Sequence, residues 1–361
     1  MAKQFKSVEE RVEMFRSFYR RENLRPLLGF FLGNEYPVPR YPSMASLPEG
    51  RALTPEDFPM DGFLDDSERL HVGHEECGGD FIWSASAYWG IPWLEAALGC
   101  PLYVSHATGS IYSEPPAGFA GPADIPQFDP DNTWMRLMDR YLTGLNKRSA
   151  GRWPVATTRM RGISDLLSAL YGGSEFVMAM LETPGEVHAA CKSLVDFWLG
   201  VAEFQLSRIP AFHGGVGSFY YNCWAPAGTV WCQEDATALL SPDLYGAFVE
   251  PALRAVVAAV DGAIMHQHST GYVPTESYLT MDFHALELHI DEGGPSAEEL
   301  YSRHQTILDK KPLIIWGKMT EEDLHWIFSR LPTKGLAVIH VVESAQEAAA
   351  VWERYGAPLD G

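Results

Sequence analysis

The sequence is short of basic residues. Lys and Arg number 27 against 47 Asp and Glu, a formal net charge of −20, and a surface of that sign repels nucleic-acid backbones and anionic membrane faces. Neither is expected as a partner. Long apolar runs are missing too: no stretch approaches the roughly 18 apolar residues of a membrane-spanning helix. The opening MAKQFKSVEERVEMFRSFYRR is charged and periodic, without the apolar region of a signal peptide. The expected location is the cytoplasm. Cysteine is sparse: Cys77, Cys100, Cys191, Cys223 and Cys232 are odd in number and form no C-x-x-C pair. Reduced thiols, most of them small core residues, are expected rather than a disulfide framework.

What is present suffices for one large core. The chain has 361 residues, 46% of them hydrophobic and 12% aromatic, so a single domain over 1–361 is the economical reading. Phe5, Val8, Val12, Phe15 and Phe18 recur at helical spacing and predict an amphipathic helix over 4–22. Leu27-Leu28-Gly29-Phe30-Phe31-Leu32 is apolar on both faces, as a buried parallel strand should be. From Tyr36 to Leu70 little periodicity is visible, and a long surface excursion able to shape substrate access is expected. These parts make up an N-terminal portion, 1–78.

Over 79–361 short apolar runs alternate with helical patterns. Strands are expected at 81–85, 102–105, 155–159, 214–221, 262–266, 286–290, 313–316 and 336–341. Helices are expected at 173–182, 184–206, 242–260, 297–308, 320–329 and 345–355. Ser241-Pro242 and Thr183-Pro184 place a hydroxyl and then a proline where helices start. The alternation predicts an α/β protein, a TIM (β/α)8 barrel with an N-terminal helical extension.

The segment with chemistry is Asp261-Gly-Ala-Ile-Met-His266-Gln-His268-Ser-Thr-Gly271. Residues i and i+2 of a strand share a face, so His266 and His268 can converge at the rim where barrel enzymes keep their sites. Two imidazoles at this spacing suit Zn²⁺; the plainer alternative is that they hydrogen-bond loop backbone. A third metal ligand must come from elsewhere. His340, near the end of the last expected strand, is preferred, with Glu343 and His289 as competitors. Asp235 is a candidate for orienting substrate or a metal-bound water. Arg159 and Arg161 are candidates for holding a substrate carboxylate, against a reading as salt-bridge residues. Trp83, Tyr88, Trp89 and Trp224 could wall an aromatic pocket or be ordinary core.

Taken together, Asn222-Cys-Trp224-Ala-Pro226, Glu234-Asp235 and Leu240-Ser241-Pro242 through Phe248 to Pro251, followed by the His266 segment, resemble the uroporphyrinogen decarboxylase superfamily. Weaker similarity extends to Arg161 through Gly172, to Phe81 through Gly99, and to the segments at 311–317 and 335–340. Decarboxylases of that group open with an arginine-rich strand, whereas Leu27 to Gly33 holds no arginine. Their key acid would fall near Ala85 or Ser86, and their S-W-A serine is Cys223 here. The resemblance is therefore closer to the cobalamin-dependent methyltransferase branch. It implies zinc near His266 and His268, a substrate-binding role for Cys223 and Trp224, and a corrinoid carried by a partner protein. That branch uses H-x-C and a later Cys, whereas here His268 replaces the thiolate and no Cys follows Cys232.

The expected activity is zinc-dependent methyl transfer between a corrinoid protein or methylated small molecule and an acceptor. The alternatives are a metal-independent decarboxylase or lyase with the histidines as acid and base, and a non-catalytic barrel that binds a corrinoid or a partner. A homodimer is an open expectation, since the decarboxylase branch often pairs its barrels.

Overall fold

The computed structural model describes residues 6–218, 220 and 222–356. Phe5 of the expected first helix, and Phe219 and Tyr221 of the expected strand at 214–221, lie outside the described residues. The chain starts with a helix, Val8–Tyr19, closed by a reciprocal cap. Ser7 Oγ accepts from the Glu10 amide at 3.2 Å, and Glu10 Oε2 accepts from the Ser7 amide at 2.7 Å. Its buried face carries Val12, Phe15 and Phe18, as the periodicity predicts.

Ten strands follow among the described residues: β1 Leu27–Leu32, β2 Leu102–Ser105, β3 Ser110–Ser113, β4 Gly215–Ser218, β5 Cys223–Pro226, β6 Thr229–Cys232, β7 Gly262–Met265, β8 Ala285–His289, β9 Leu313–Gly317 and β10 Leu336–Val342. Six form one parallel sheet in the order β1-β10-β9-β8-β7-β6. Every residue of β9 and β10 is buried, which explains their unbroken apolar runs: helices cover such a sheet, and no strand face meets water.

This is a TIM-like α/β arrangement, but not eight regular strands. Segments 80–85 and 155–160 run between the outer strands β1 and β6 and join their neighbours only through isolated parallel bridges, Ala85 with Val155, Ala156 with Gly217 and Met160 with Cys232. The Asp80 amide donates to Leu28 O at 2.8 Å. No regular ladder closes the ring among the described residues. Two expected barrel strands are instead parts of antiparallel hairpins, β2 with β3 and β4 with β5. A two-residue-period apolar run looks the same in a hairpin as in a sheet edge.

The expected excursion over 36–70 is also corrected. It contains the helix Pro37–Arg40 and most of an 18-residue helix, Met60–Cys77, which buries Phe63, Leu64, Leu70, His74 and Cys77. Its many acids and two glycines mask the apolar stripe in the sequence. All five cysteines are buried and unbridged. No helix of the described residues is long and apolar enough to cross a membrane.

Candidate functional site

The site grows from the alternation of two neighbouring strands. β7 and β8 pair in register, Ile264 with Ala285 and Met265 with Leu286, and a parallel bridge between His268 and His289 continues that register beyond the strand ends. Side chains of one parity therefore share a face: His266 and His268 from one strand, Glu287, His289 and Asp291 from the next. His266 Nδ1 donates to Glu287 Oε2 at 2.5 Å, and His268 Nδ1 donates to Asp291 Oδ1 at 2.6 Å. Each imidazole thus has its Nδ1 committed to a carboxylate. The two Nε2 atoms face each other at 3.2 Å.

Asp235 supplies the third corner. Its carboxylate oxygens lie 4.0 Å from His266 Nε2 and 3.9 Å from His268 Nε2. Ligand-type atoms of Asp235, His266 and His268 all fall within 4.8 Å of one another, so they can hold a metal ion. Tetrahedral zinc ligands at 2.0–2.1 Å stand about 3.4 Å apart. The nitrogen pair already has that spacing, whereas Asp235 would have to move closer, since its nearest approaches to the two nitrogens come from different oxygens.

His340 does not join this group. Its Nδ1 accepts from the Met319 amide at 3.4 Å, and β10 is three strands from β7, about 14 Å along the sheet at ~4.8 Å per strand. Asp235 comes just after β6, the immediate neighbour of β7. Glu343 is exposed and pairs with Lys318 at 3.1 Å. His289 lies beside the cluster, its Nε2 3.8 Å from Asp291 Oδ1, with its ring packed on Trp316 at 4.5 Å.

Asp235 is positioned by a reciprocal cap across the rim. Glu234 accepts from the amides of Ile163 and Ser164 at 2.9 and 2.8 Å, and from Ser164 Oγ at 2.6 Å, at the start of the helix Ile163–Tyr171. Asp165 of that helix accepts from the Ala236 amide at 2.9 Å and from Gln233 Nε2 at 3.1 Å. Gln233 Nε2 also donates to Asp235 Oδ2 at 2.6 Å. A buried carboxylate at a helix N-terminus satisfies amides that have no partner within the helix.

The electrostatics follow from these contacts. Burial works against a charged His268, but the Asp291 hydrogen bond and then the Asp235 charge outweigh it and raise its pKa to about 9. Asp291 is half-buried, yet hydrogen bonds from His268 and Ser269 hold it well below the usual carboxylate range. Burial, reinforced by the neighbouring His266 and His268, drives His289 down to about 3, so it stays neutral.

Two cavities meet at this cluster. One, of about 230 Å³, is lined by Glu35, Tyr36, Trp89, Arg159, Tyr220 and Trp231 together with Asp235, His266, His268 and His289. The other, of about 130 Å³, shares Asp235, His266 and His268 and runs toward Thr237, Tyr272 and Tyr278. The stretch after β1 does shape the first cavity, through Glu35, Tyr36 and Pro37.

The remaining sequence candidates separate. Arg159 faces the first cavity, whereas Arg161 reaches inward to Glu95 at 3.1 Å and Asp165 at 3.7 Å, both fully buried. Trp83 packs edge-on against Trp153, and Trp224 donates through Nε1 to Phe212 O at 2.9 Å. Cys223 is enclosed, and burial pushes its thiol up to about 12. These three side chains line neither cavity, and the aromatic wall is built from Trp89, Tyr220 and Trp231 instead.

Glu287 and Tyr220 were not found by sequence reasoning. Glu287 had a legible signal, since Glu287, His289 and Asp291 alternate with Leu286, Leu288 and Ile290. Tyr220 had none: its backbone takes φ +69°, a left-handed conformation that a bulky residue adopts only when its surroundings impose it.

No protein-family model matches the chain, and no curated protein matches it. Among solved structures, it is similar to a methyltransferase from Methanosarcina mazei. That likeness has a TM-score of 0.64 at 12% sequence identity, covering 96% of this chain and 99% of the other. At that identity the likeness establishes a shared fold.

Proposed function

We propose that this chain is a metal-dependent methyltransferase of the superfamily its motifs resemble, with Zn²⁺ held by Asp235, His266 and His268. The observation that carries this reading is the paired commitment of both Nδ1 atoms to Glu287 and Asp291, which leaves both Nε2 atoms directed at one point beside Asp235. Metal-binding histidines almost always donate their other N–H to a carboxylate, carbonyl or water, which fixes the tautomer and raises the basicity of the ligating nitrogen. Two imidazoles and one carboxylate with an open position form a recurrent catalytic zinc set. When bound, such an ion supplies Lewis acidity that lowers the pKa of an acceptor or polarises the heteroatom of a methylated donor.

The residues of this chain do the rest. Glu287 and Asp291 orient the imidazoles, Trp231 stacks on His266 with ring centres 5.3 Å apart, and Gln233 holds Asp235. Two cavities opening on one cluster favour a reaction between two molecules over a one-substrate lyase. Both are smaller than the roughly 300 Å³ of ordinary ligand pockets, so a corrinoid would be presented at their mouth by its carrier protein. The likeness to the Methanosarcina mazei methyltransferase supports the same assignment.

The test is metal analysis of protein purified without chelator, followed by transfer assays with a methylated corrinoid. One zinc per chain, lost in His266→Ala, is expected. Protein that retains no metal and transfers no methyl group with or without added zinc would overturn the proposal.

A further inference from the structure

We infer that Arg159 is an anion-recognition residue of the larger cavity, and that the molecule bound there is a small carboxylate with a planar apolar body. This deepens the proposed function, since it takes that cavity to be a substrate site.

Two arginines stand two residues apart on the segment beside β6, and their partners differ. Arg161 is matched by two fully buried acids, Glu95 and Asp165. Arg159 has no hydrogen bond or ion pair among the described residues; its Nε is enclosed without an acceptor, and its guanidinium stands 5.9 Å from the centre of the Trp89 ring. Arginine stays protonated in proteins, and an enclosed cation without a counter-ion is costly. Burial, then the nearby Arg161 charge, lowers the Arg159 pKa, and that cost would be relieved by an incoming anion.

The cavity's own carboxyls make no ion pair with it, although the Asp235 charge, like that of Glu95 deeper in the core, acts on it from a distance. Asp235 is turned to Gln233 and the histidines. Glu35, the other acid of the lining, is pushed by burial and then by Glu292 toward its neutral form. Neither lies within ion-pair distance of Arg159.

Size and shape narrow the class. A volume of about 230 Å³ lies below the roughly 300–1,000 Å³ of drug-sized ligand pockets, which suits a small molecule. The walls are flat: Trp89 meets Tyr220 edge-on at 5.5 Å, and Trp231 lies parallel to His266. Aromatic walls favour a planar apolar body, and the fork of a guanidinium suits a carboxylate held by two parallel hydrogen bonds. A ligand anchored at Arg159 would present its far end to His266 and His268.

The experiment titrates chelator-treated protein with benzoate, with its neutral isostere benzamide, and with phenyl phosphate. Saturable benzoate binding, roughly 10- to 100-fold tighter than benzamide, is expected from a charge-assisted contact. Arg159→Gln should lose that preference, and Arg159→Lys should retain part of it. Absence of saturable benzoate binding, equal affinity for benzamide, tighter binding of phenyl phosphate than of benzoate, or an unchanged preference in Arg159→Gln would each overturn the inference. The comparison of ligands on the unaltered protein needs no variant to fold. Zinc content of Arg159→Gln is measured in parallel; because anion binding is read without metal, failure of the metal site and failure of the anion site are distinguishable.

Discussion

His266 Nδ1 donates to Glu287 Oε2 across 2.5 Å, from the end of one strand to the middle of the next. Glu287 is fully buried, and this contact fixes which nitrogen of His266 is turned toward His268 and Asp235. Glu287→Gln keeps the size and an acceptor oxygen but removes the charge that strengthens the ligand. Zinc affinity measured by competition with a chromophoric chelator should fall roughly 10- to 100-fold. Equal affinity in the two proteins would mean that the contact is structural only.

A second prediction concerns protons. His268 titrates near 9 in the metal-free protein because the Asp291 hydrogen bond and the Asp235 charge outweigh burial. Its folded pKa exceeds the ordinary 6.5, so its ion-pair contribution to stability is fully present below pH 6.5 and is lost as pH rises through 9. A metal must displace that proton, so zinc binding near pH 7 should release it and tighten with pH up to about 9. Calorimetry in buffers of different ionisation enthalpy counts the proton, and Asp291→Asn should lower the His268 midpoint in an NMR titration. A binding reaction that releases no proton at pH 7 contradicts this.

Acid sensitivity should come from elsewhere. Burial depresses His74 to about 4 and His304 to about 3, and neither His304 ring nitrogen has a hydrogen-bond partner among the described residues. Unfolded histidines titrate near 6.5, so between that value and the folded pKa the unfolded chain binds more protons. Stability therefore falls as pH drops, by up to about 1.4 kcal/mol per pH unit for each group. Thermal midpoints should decline from pH 7 to 5, and His304→Leu should make that decline shallower. An identical slope in the variant would remove His304 from the explanation.

Gly162 makes the last prediction. A Cβ there would lie 2.1 Å from Gln233 O and 2.3 Å from the Glu234 carboxyl carbon. Gly162→Ala should cost about 1–3 kcal/mol in urea unfolding, as overpacking does. It should also weaken zinc binding, because the displaced residues adjoin Asp235. Loss of stability with zinc affinity intact would show that the turn tolerates the shift without moving Asp235.

Much of this was readable in the residues. The His266 and His268 pairing needs only the two-residue period of a strand, and Val12, Phe15 and Phe18 needed only helical spacing. Choices that depend on which strand lies beside which were not readable. His340 looked well placed at a strand end, but the order β7-β8-β9-β10 puts it three strands away, and Asp235 stands next door. Nor could the sequence tell Arg159 from Arg161, because the shorter of the two ion pairs that separate them is made by Glu95, distant along the chain and brought to Arg161 by folding. Trp83 and Trp224 had the right chemistry for a pocket wall and point into other parts of the core.

The reciprocal cap between Glu234, Asp165 and Gln233 ties Asp235 to a helix that begins some seventy positions earlier in the chain. One corner of the triangle is therefore surveyed from a different landmark than the other two, whose positions come from β7 and β8. Small changes at that helix end could open or narrow the gap between carboxylate and imidazoles without altering any of the three donors. If an ion is held as proposed, that helix end is where the carboxylate corner could be reset while both imidazoles stay in place.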